Sequence, residues 1–338
     1  MTTVGLDFGT NAVKLVKVQK ENPLKVVAAA SVVMKPELFL SDNPQNQEEL
    51  GELTKKLFHD AKVTDKEVNV ALPESQMFTR IIELPALSDE ELSTALRWQA
   101  EQYIPLPLTE VNMDFSVIHR PTDPREKMQV LLVAAPIRVV NSFVSLLEHA
   151  GLNARSLETE LIAASRAFFP YFVSPSTTMI VDCGAQTTNM AIVKDTNIVF
   201  THSITFGGEA ITRSINDNFG IPLPQAEEYK KAYGMDQSQL QGKVYQAVKP
   251  IIDGIIAEIK KSMAYFNDKK GTPVERVIIF GGTSLMPGLV SYLGQMLEVE
   301  VQVGNPWETF AIASSMSTPR SSASGYTVAT GLAIRDLI

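Results

Sequence analysis

Asp7 and Asp182 each stand two residues before a glycine: "LDFGTNAVKLVKV" runs from Leu6 to Val18 and "VDCGAQTTNMAIV" from Val181 to Val193. Both stretches read as a strand, a tight turn of small and polar residues, and a second strand. A glycine turn of this kind aims successive backbone N–H groups in one direction, and such a nest binds anions. Gly9 and Gly184 leave no Cβ in front of those amides. Thr10 and Asn11 complete the first turn, Ala185, Gln186 and Thr187 the second, and Thr188 adds a further hydroxyl. Lys14, on the strand leaving the first turn, can bring an ammonium to a phosphate. The two aspartates would repel phosphate and suit instead a hard cation such as Mg²⁺, held through its waters between the turns. One Asp-x-Gly is a common turn. Two, each opening one half of a 338-residue chain, argue for a ligand shared between the halves, against the competing reading of ordinary hairpins in two repeats.

Further residues fit a nucleotide. In "IIFGGTS" (278–284), Gly281, Gly282 and Thr283 lie at the carboxyl end of a strand, where open α/β sheets bind ligands and a flat base can rest on the backbone. In "AEEYKKAYG", Glu227 and Lys230 share one helix face and suit a ribose, with Lys231 beside the base. A solvated face is the competing reading. Gly207 and Gly208 open the helix "GGEAITRSINDNFG" and complete the nucleotide set.

To meet, these residues need a frame, and the pattern supplies the same one twice. Strands are expected at 3–8, 13–19 and 24–34. A helix over "NQEELGELTKKLFHDA" follows, with its stripe at Leu50, Leu53, Leu57, Phe58 and Ala61, and then the strand "EVNVALP". From about 176 the second half repeats the meander and continues into helices, including a long one kinked or started by Pro250. It ends with a flexible loop, "STPRSSASG", and a closing helix, "YTVATGLAIRDLI". Between the halves, 76–152 reads as an inserted βαββα module. The expected division is 1–75, 153–175 and 320–338 as subdomain 1A, 76–152 as 1C, 176–206 and 271–319 as 2A, and 207–270 as 2B. This is an α/β fold of two lobes around a cleft.

Composition narrows the class. Apolar residues make up 45 % and charged residues 20 %, a soluble globular profile, and a net charge of −8 disfavours nucleic acid. A single cysteine, Cys183, allows no intrachain disulfide and fits a reducing compartment. No secretory signal stands at the N-terminus, and no uncharged apolar run reaches the roughly 18 residues of a membrane span. A cytoplasmic protein is expected. The four histidines lack metal-ligand spacing, and no Gly-x-Ser-x-Gly elbow occurs.

On these residues the chain resembles the actin-like ATPase superfamily, with its duplicated, ribonuclease H-like fold. Asp7, Gly9, Thr10 and Lys14 match the first phosphate motif, Asp182, Gly184 and Thr187 the second, and Gly281, Gly282 and Thr283 the adenosine motif. Glu227, Lys230 and Lys231 resemble the ribose and adenine clamp. The resemblance implies ATP with Mg²⁺, and puts Glu158 or Glu160 near the position of a water-orienting, catalytic residue. The insertion sits where FtsA carries a small α/β subdomain. "LPALSDEELSTALRWQAEQYIPLPLTEVNMDFSVI" closely resembles the PilM family of the type IV pilus inner-membrane platform. That resemblance implies recruitment to the inner face of the inner membrane, through docking of the cytoplasmic N-terminal tail of PilN beside the insertion. Pilus motor ATPases and a second copy of the chain are further partners it admits. FtsA-type filaments, and the equivalent component of a type II secretion or competence system, are the alternatives. A metabolic kinase would need a catalytic aspartate and a substrate pocket, for which no motif is found. FtsA-type proteins usually have two more glycines after Gly184. Ala185 and Gln186 crowd that approach, so hydrolysis is expected to be weak or absent.

Within the insertion, Ser88 and Glu91 form a capping box that starts a helix. Leu92, Ala95, Leu96, Ala100 and Tyr103 share one face, and Trp98 points elsewhere. Trp98, with Tyr103 and Ile104 of "YIPLPL", is the expected partner contact. The competing reading has the protein itself cover both sides of that helix.

Overall fold

The computed structural model describes residues 1–123, 125–172 and 176–338. Residue 124, in the polar break of the insertion, and residues 173–175, at the expected boundary between the halves, lie outside the described residues.

The first half begins with β1 (Thr2–Phe8), β2 (Ala12–Gln19) and β3 (Lys25–Val33), paired antiparallel in sequence order. Along β1 the side chains alternate between two buried faces. Val4, Leu6 and Phe8 face one apolar core, while Thr3, Gly5 and Asp7 face the other side. The helix α1 (Pro44–Asp60) starts at Asn43, whose side chain accepts from the Gln45 N–H, and covers the first core with Leu50, Leu57 and Phe58. β4 (Glu67–Leu72) then joins β1 in parallel.

The inserted stretch divides. β5 (Phe78–Leu84), α2 (Asp89–Tyr103), β6 (Val111–His119) and β7 (Met128–Pro136) share a core of their own, built from Ile82, Leu92, Leu96, Val130 and Leu132. β7 lies in the middle of this three-stranded antiparallel sheet. The next helix, α3 (Ile137–His149), leaves that core and packs on the first sheet through Val139, Phe143, Leu146 and Leu147. Its strongly one-sided apolar stripe serves the large sheet, which has more surface to cover. β8 (Asn153–Thr159) runs parallel to β4, and α4 (Glu160–Ala167) follows without a break.

The second half comprises β9 (Thr177–Cys183), β10 (Thr188–Lys194), β11 (Asn197–Ile204), α5 (Gly208–Phe219), α6 (Leu223–Tyr233), α7 (Lys243–Lys270), β12 (Arg276–Phe280), α8 (Leu289–Leu297) and β13 (Glu300–Val303). Pro250 is internal to α7, which starts one residue after Gly242. β14 (Ala311–Ile312) then pairs with β3, and α9 (Thr327–Ala333) closes the fold. The sheets run β14-β3-β2-β1-β4-β8 and β11-β10-β9-β12-β13. Without β14 the two orders are the same, strand for strand, which is the duplication expected from the repeated turns.

α4 and α9 lie between the sheets. Leu161, Ala164, Phe168, Val328 and Leu332 meet Ile180, Ala191, Ile278 and Phe280 in one buried layer. Phe168 is edge-on to Phe280, with ring centroids 5.4 Å apart, an arrangement that adds about 0.5–1.5 kcal/mol beyond burial. The helices cross so closely that a Cβ on Gly331 would collide with the Ala163 carbonyl.

One expectation is corrected. "STPRSSASG" is no flexible loop throughout, because Arg320–Tyr326 forms 3-10 turns with Ala323, Ser324 and Tyr326 buried. Small side chains suit that segment because it packs closely under the first sheet, with Ala323 and Tyr326 against Val16 and Val18.

Candidate functional site

The repeated turns are closed by the same bond. The Gly9 N–H donates to the Ala12 carbonyl at 3.0 Å, and the Gly184 N–H to the Thr187 carbonyl at 3.1 Å. Both turns open on one cavity of about 520 Å³, within the size range of nucleotide-sized ligand pockets. Its lining includes Asp7, Gly9, Thr10, Asn11 and Lys14 from the first half. Asp182, Gly184, Ala185, Thr187, Glu227, Lys230, Lys231, Gly281, Gly282 and Thr283 come from the second.

Register explains what faces the aspartates. Asp7 lies opposite Lys14 across β1 and β2, and the ammonium stands 3.6 Å from its carboxylate. Asp182 lies opposite Asn189 across β9 and β10. Glu160, the first residue of α4, completes the acidic end: its Oε2 accepts from the Glu74 N–H at 3.0 Å and from Asn189 Nδ2 at 3.2 Å. Thr159 caps this helix by accepting from the Ile162 N–H at 3.3 Å, which fixes where Glu160 points.

Loss of water raises all three carboxyls. For Asp7 burial outweighs the pull of Lys14. Asp182 is pushed up to about 7 by burial, with Lys14 opposing and Asp7 and Glu74 adding to the rise. Glu160 is raised well above the carboxylate range by burial and then by Asp182 and Asp7. Behind them Glu74, itself buried, reaches about 7 for want of solvent. Crowded, dehydrated carboxyls of this kind are relieved by a cation. Among the described residues no three His, Cys, Asp or Glu side chains are grouped to hold an ion directly. The paired carboxyls of Asp7 and Asp182 are of the kind that fits Mg²⁺, an ion that binds one or two carboxylates and keeps its waters. Buried acceptors without partners, Asn189 Oδ1 and Glu209 Oε1, stand on the same wall.

Gly281 adjoins Asp182, and its φ of +87° and close neighbours exclude a side chain: a Cβ would meet Asp182 Oδ1 at 2.5 Å. Thr283 Oγ1 donates to the Gly184 carbonyl at 3.3 Å and ties this turn to the acidic end. On α6, Lys230 is buried. It donates to the Gly208 carbonyl at 3.1 Å and to Thr212 Oγ1 at 3.0 Å, and pairs with Glu227 at 2.6 Å. Burial pushes the Glu227 carboxyl up, but hydrogen bonds from Lys230 and Thr212 outweigh this and hold it low. Lys231 is more exposed, at the rim.

Several expected residues stand elsewhere. Glu158 does not line the cavity. Arg166 grips its carboxylate through two nitrogens at 2.6 and 2.7 Å, which leaves Glu160 as the acid facing the cavity. Gln186 is exposed outside the lining. Gly207 and Gly208 support the second turn from behind, where the Gly208 and Glu209 N–H groups donate to the Gly184 and Ala185 carbonyls at 2.9 and 2.8 Å. On the insertion, Trp98 is 71 % exposed and Tyr103 47 %. Ile104 is 5 % exposed and part of the insertion's core, which corrects its assignment as a partner contact: the helix ends there and turns the side chain inward.

Sequence reading missed Asn189, Glu209, Ser324, Thr327 and Val328, all of which line the cavity. Asn189 had a signal, since it follows Asp182 at the same seven-residue offset that separates Lys14 from Asp7.

Two sheets of one strand order, with paired aspartate turns facing a shared cavity, define an actin-like ATPase fold. The chain belongs to the type IV pilus assembly protein PilM family, whose model matches residues 5–337. It is similar to a solved PilM-PilN type IV pilus biogenesis complex, with 28 % identity and a TM-score of 0.88, covering 99 % of this chain and 98 % of that one. MreB 5 of Spiroplasma citri bound to AMPPNP shares the fold, with 14 % identity, a TM-score of 0.54, and coverage of 99 % and 96 %. Cell division protein FtsA of Neisseria meningitidis serogroup B is 24 % identical over 215 residues, 57 % of this chain. The match spans about half of that protein, 52 %. Among the described residues no helix is long and apolar enough to cross a membrane.

Proposed function

We propose that the chain binds magnesium–ATP between its two lobes and acts as a scaffold of the type IV pilus platform, held at the inner face of the inner membrane by the cytoplasmic tail of a PilN-like protein. One observation carries the nucleotide reading. Asp7 and Asp182, in equivalent turns of two sheets of the same order, face a single cavity of about 520 Å³.

The residues divide the work. The Gly9–Asn11 and Gly184–Thr187 turns present N–H and hydroxyl donors to phosphate, and Lys14 adds a positive charge. Asp7 and Asp182 hold the cation's water shell, and the bound cation supplies charge neutralisation of the phosphates. Gly281–Thr283 gives the base a flat backbone wall, while Glu227 and Lys231 reach the ribose and base. Lys230 is committed to α5 and acts by fixing that wall. Glu160 is the acid placed to orient a water. Its Oε2 already accepts two hydrogen bonds, and Ala185 narrows the approach to the terminal phosphate, so turnover is slow.

The partner reading is supported by the family and by likeness to the PilM-PilN complex. Exposed Trp98 and Tyr103 offer apolar contacts on the insertion. Calorimetric titration with Mg-ATP, alone and with a peptide of the partner's tail, tests both halves. One saturable nucleotide site, lost in Asp7→Asn and Asp182→Asn, supports the first, and peptide binding at the insertion the second. No heat from Mg-ATP at millimolar concentration would end the nucleotide reading.

A further inference from the structure

The chain leaves the first sheet for the insertion through a single helical turn, Glu74–Gln76, set between Pro73 and an extended Met77. It comes back at Pro136, the last residue of β7. The two stems are neighbouring strands, with Phe78 opposite Ala134. A sheet hung on one pair of strands can rotate through a few torsions at its stem.

Glu74 sits in that stem and makes contacts in both directions. Its backbone N–H donates to Glu160 Oε2 at 3.0 Å, toward the cavity, and its Oε1 accepts from Thr79 Oγ1 at 3.3 Å, on β5 of the insertion. The side chain is 6 % exposed, and its Oε2 has no hydrogen-bond partner. Asn189 Nδ2, from β10 of the second half, shares the Glu160 oxygen at 3.2 Å, while its own Oδ1 is unpartnered. One carboxylate oxygen thus joins the first lobe, the second lobe and the stem, with one buried orphan acceptor on either side, Glu74 Oε2 and Asn189 Oδ1. Buried polar atoms are seldom left in that state without cause. The far end of β5 is anchored as well, through Glu83 to Lys270 of α7 at 2.7 Å.

We propose that Glu74 is a positioning residue that couples occupancy of the interlobe cavity to the orientation of the inserted subdomain, along the line Asn189–Glu160–Glu74–Thr79. This rests on the nucleotide reading above and adds its route to the partner-binding part. A ligand that draws the two aspartate turns together moves Asn189 against Glu160. The displacement passes to the Glu74 N–H and, through Thr79, to the start of β5. The Glu83–Lys270 pair makes β5 span both lobes, so relative motion of the lobes turns the strand. The ligand shifts this arrangement only by the difference in its affinity for the two orientations. A partner seated on the insertion must then alter nucleotide affinity by the same factor.

The test is hydrogen exchange of the full chain with and without Mg-AMPPNP, read over 78–103, for wild type, Glu74→Ala, Thr79→Val and Thr79→Ser. In wild type, nucleotide changes exchange in β5. Thr79→Val keeps the nucleotide affinity but loses that response, and Thr79→Ser, which retains the hydroxyl, restores it. Glu74→Ala repeats the loss, and Thr79→Val carries the test should Glu74→Ala not fold. An unchanged β5 response in Thr79→Val with nucleotide bound overturns the proposal. So does a wild type that binds nucleotide without any response in β5. Failure of wild type to bind Mg-AMPPNP is a different result: it removes the nucleotide reading and this coupling with it.

Discussion

Lys14 and Asn189 occupy the same place in the two halves, each opposite its lobe's cavity aspartate across the first strand pair. One is a cation and the other a neutral amide, so the duplicated site is charged asymmetrically: Lys14 stands 3.6 Å from Asp7, while Asn189 bonds Glu160. Lys14→Met removes the positive group and is expected to weaken Mg-ATP by about 10- to 100-fold, the worth of a charge-assisted bond. Asn189→Asp adds a further carboxylate and lowers the ligand-free melting temperature, and Mg²⁺ restores part of it. Calorimetry and thermal melts read the two effects.

The pH dependence of stability follows from Asp182 and Glu74, each near 7 when folded. Their folded values lie above the unfolded ones, so the native state holds extra protons between the ordinary carboxylate range and about 7. Their stabilising contribution is full at low pH and is lost as pH rises through that window. Ligand-free protein therefore melts at a higher temperature at pH 6 than at pH 8, its stability falling by up to about 1.4 kcal/mol per pH unit for one group within that window. Asp182→Asn raises stability at pH 8 and flattens the profile, while losing the stabilisation by Mg-ATP. A ligand-free profile that rises between pH 6 and 8 would contradict the burial of these acids.

Lys230 links α6 to α5 through a buried ammonium. Lys230→Ala removes the cation from Glu227 and the Gly208 carbonyl, both of which keep Thr212 Oγ1, and is expected to cost about 1–3 kcal/mol, the scale of lost hydrogen bonds to a charged group. Denaturant titration measures it. Lys231→Ala, at the rim, changes stability by less than about 0.5 kcal/mol and acts on nucleotide affinity alone.

Gly281→Ala puts a methyl 2.5 Å from Asp182 Oδ1 at a positive φ. The turn must open, with a stability loss of about 1–3 kcal/mol and loss of Mg-ATP binding. A variant that binds normally would show that this turn does not border the ligand.

On the insertion two neighbours separate surface from core. Trp98→Ala leaves stability within about 0.5 kcal/mol and weakens the partner peptide. Ile104→Ala costs about 2–5 kcal/mol through its cavity. Equal peptide affinity for wild type and Trp98→Ala would remove Trp98 from the interface.

What could be read in advance was local. The aspartate turns, the Gly-Gly step and the capping box announce themselves because glycine and short polar side chains decide those conformations within a few residues. Glu158 and Glu160 show the limit. They are the same residue type two positions apart, and only the switch from β8 to α4 at Thr159 sends one toward Arg166 and the other into the cavity. Ser324 is a second case, since a run of small polar residues reads as loop until the sheet above it is known. Glu74 followed a proline at a strand end and carried no pattern; its carboxyl is buried beside the Leu161 backbone and Thr159, polar neighbours distant in sequence that partly offset the effect of burial.

The stem of the inserted sheet has an evolutionary consequence. Because the outgoing and returning strands are paired neighbours, Phe78 beside Ala134, the insertion joins the first sheet through one stem, and only its contacts with α7 and β11 need be kept when it is exchanged. The host sheet, α1 and α3 keep their contacts whatever is grafted there. An insertion that diverged would leave the host sheet unaltered, and chimeras joined at this stalk would show how far the insertion alone sets what the protein binds.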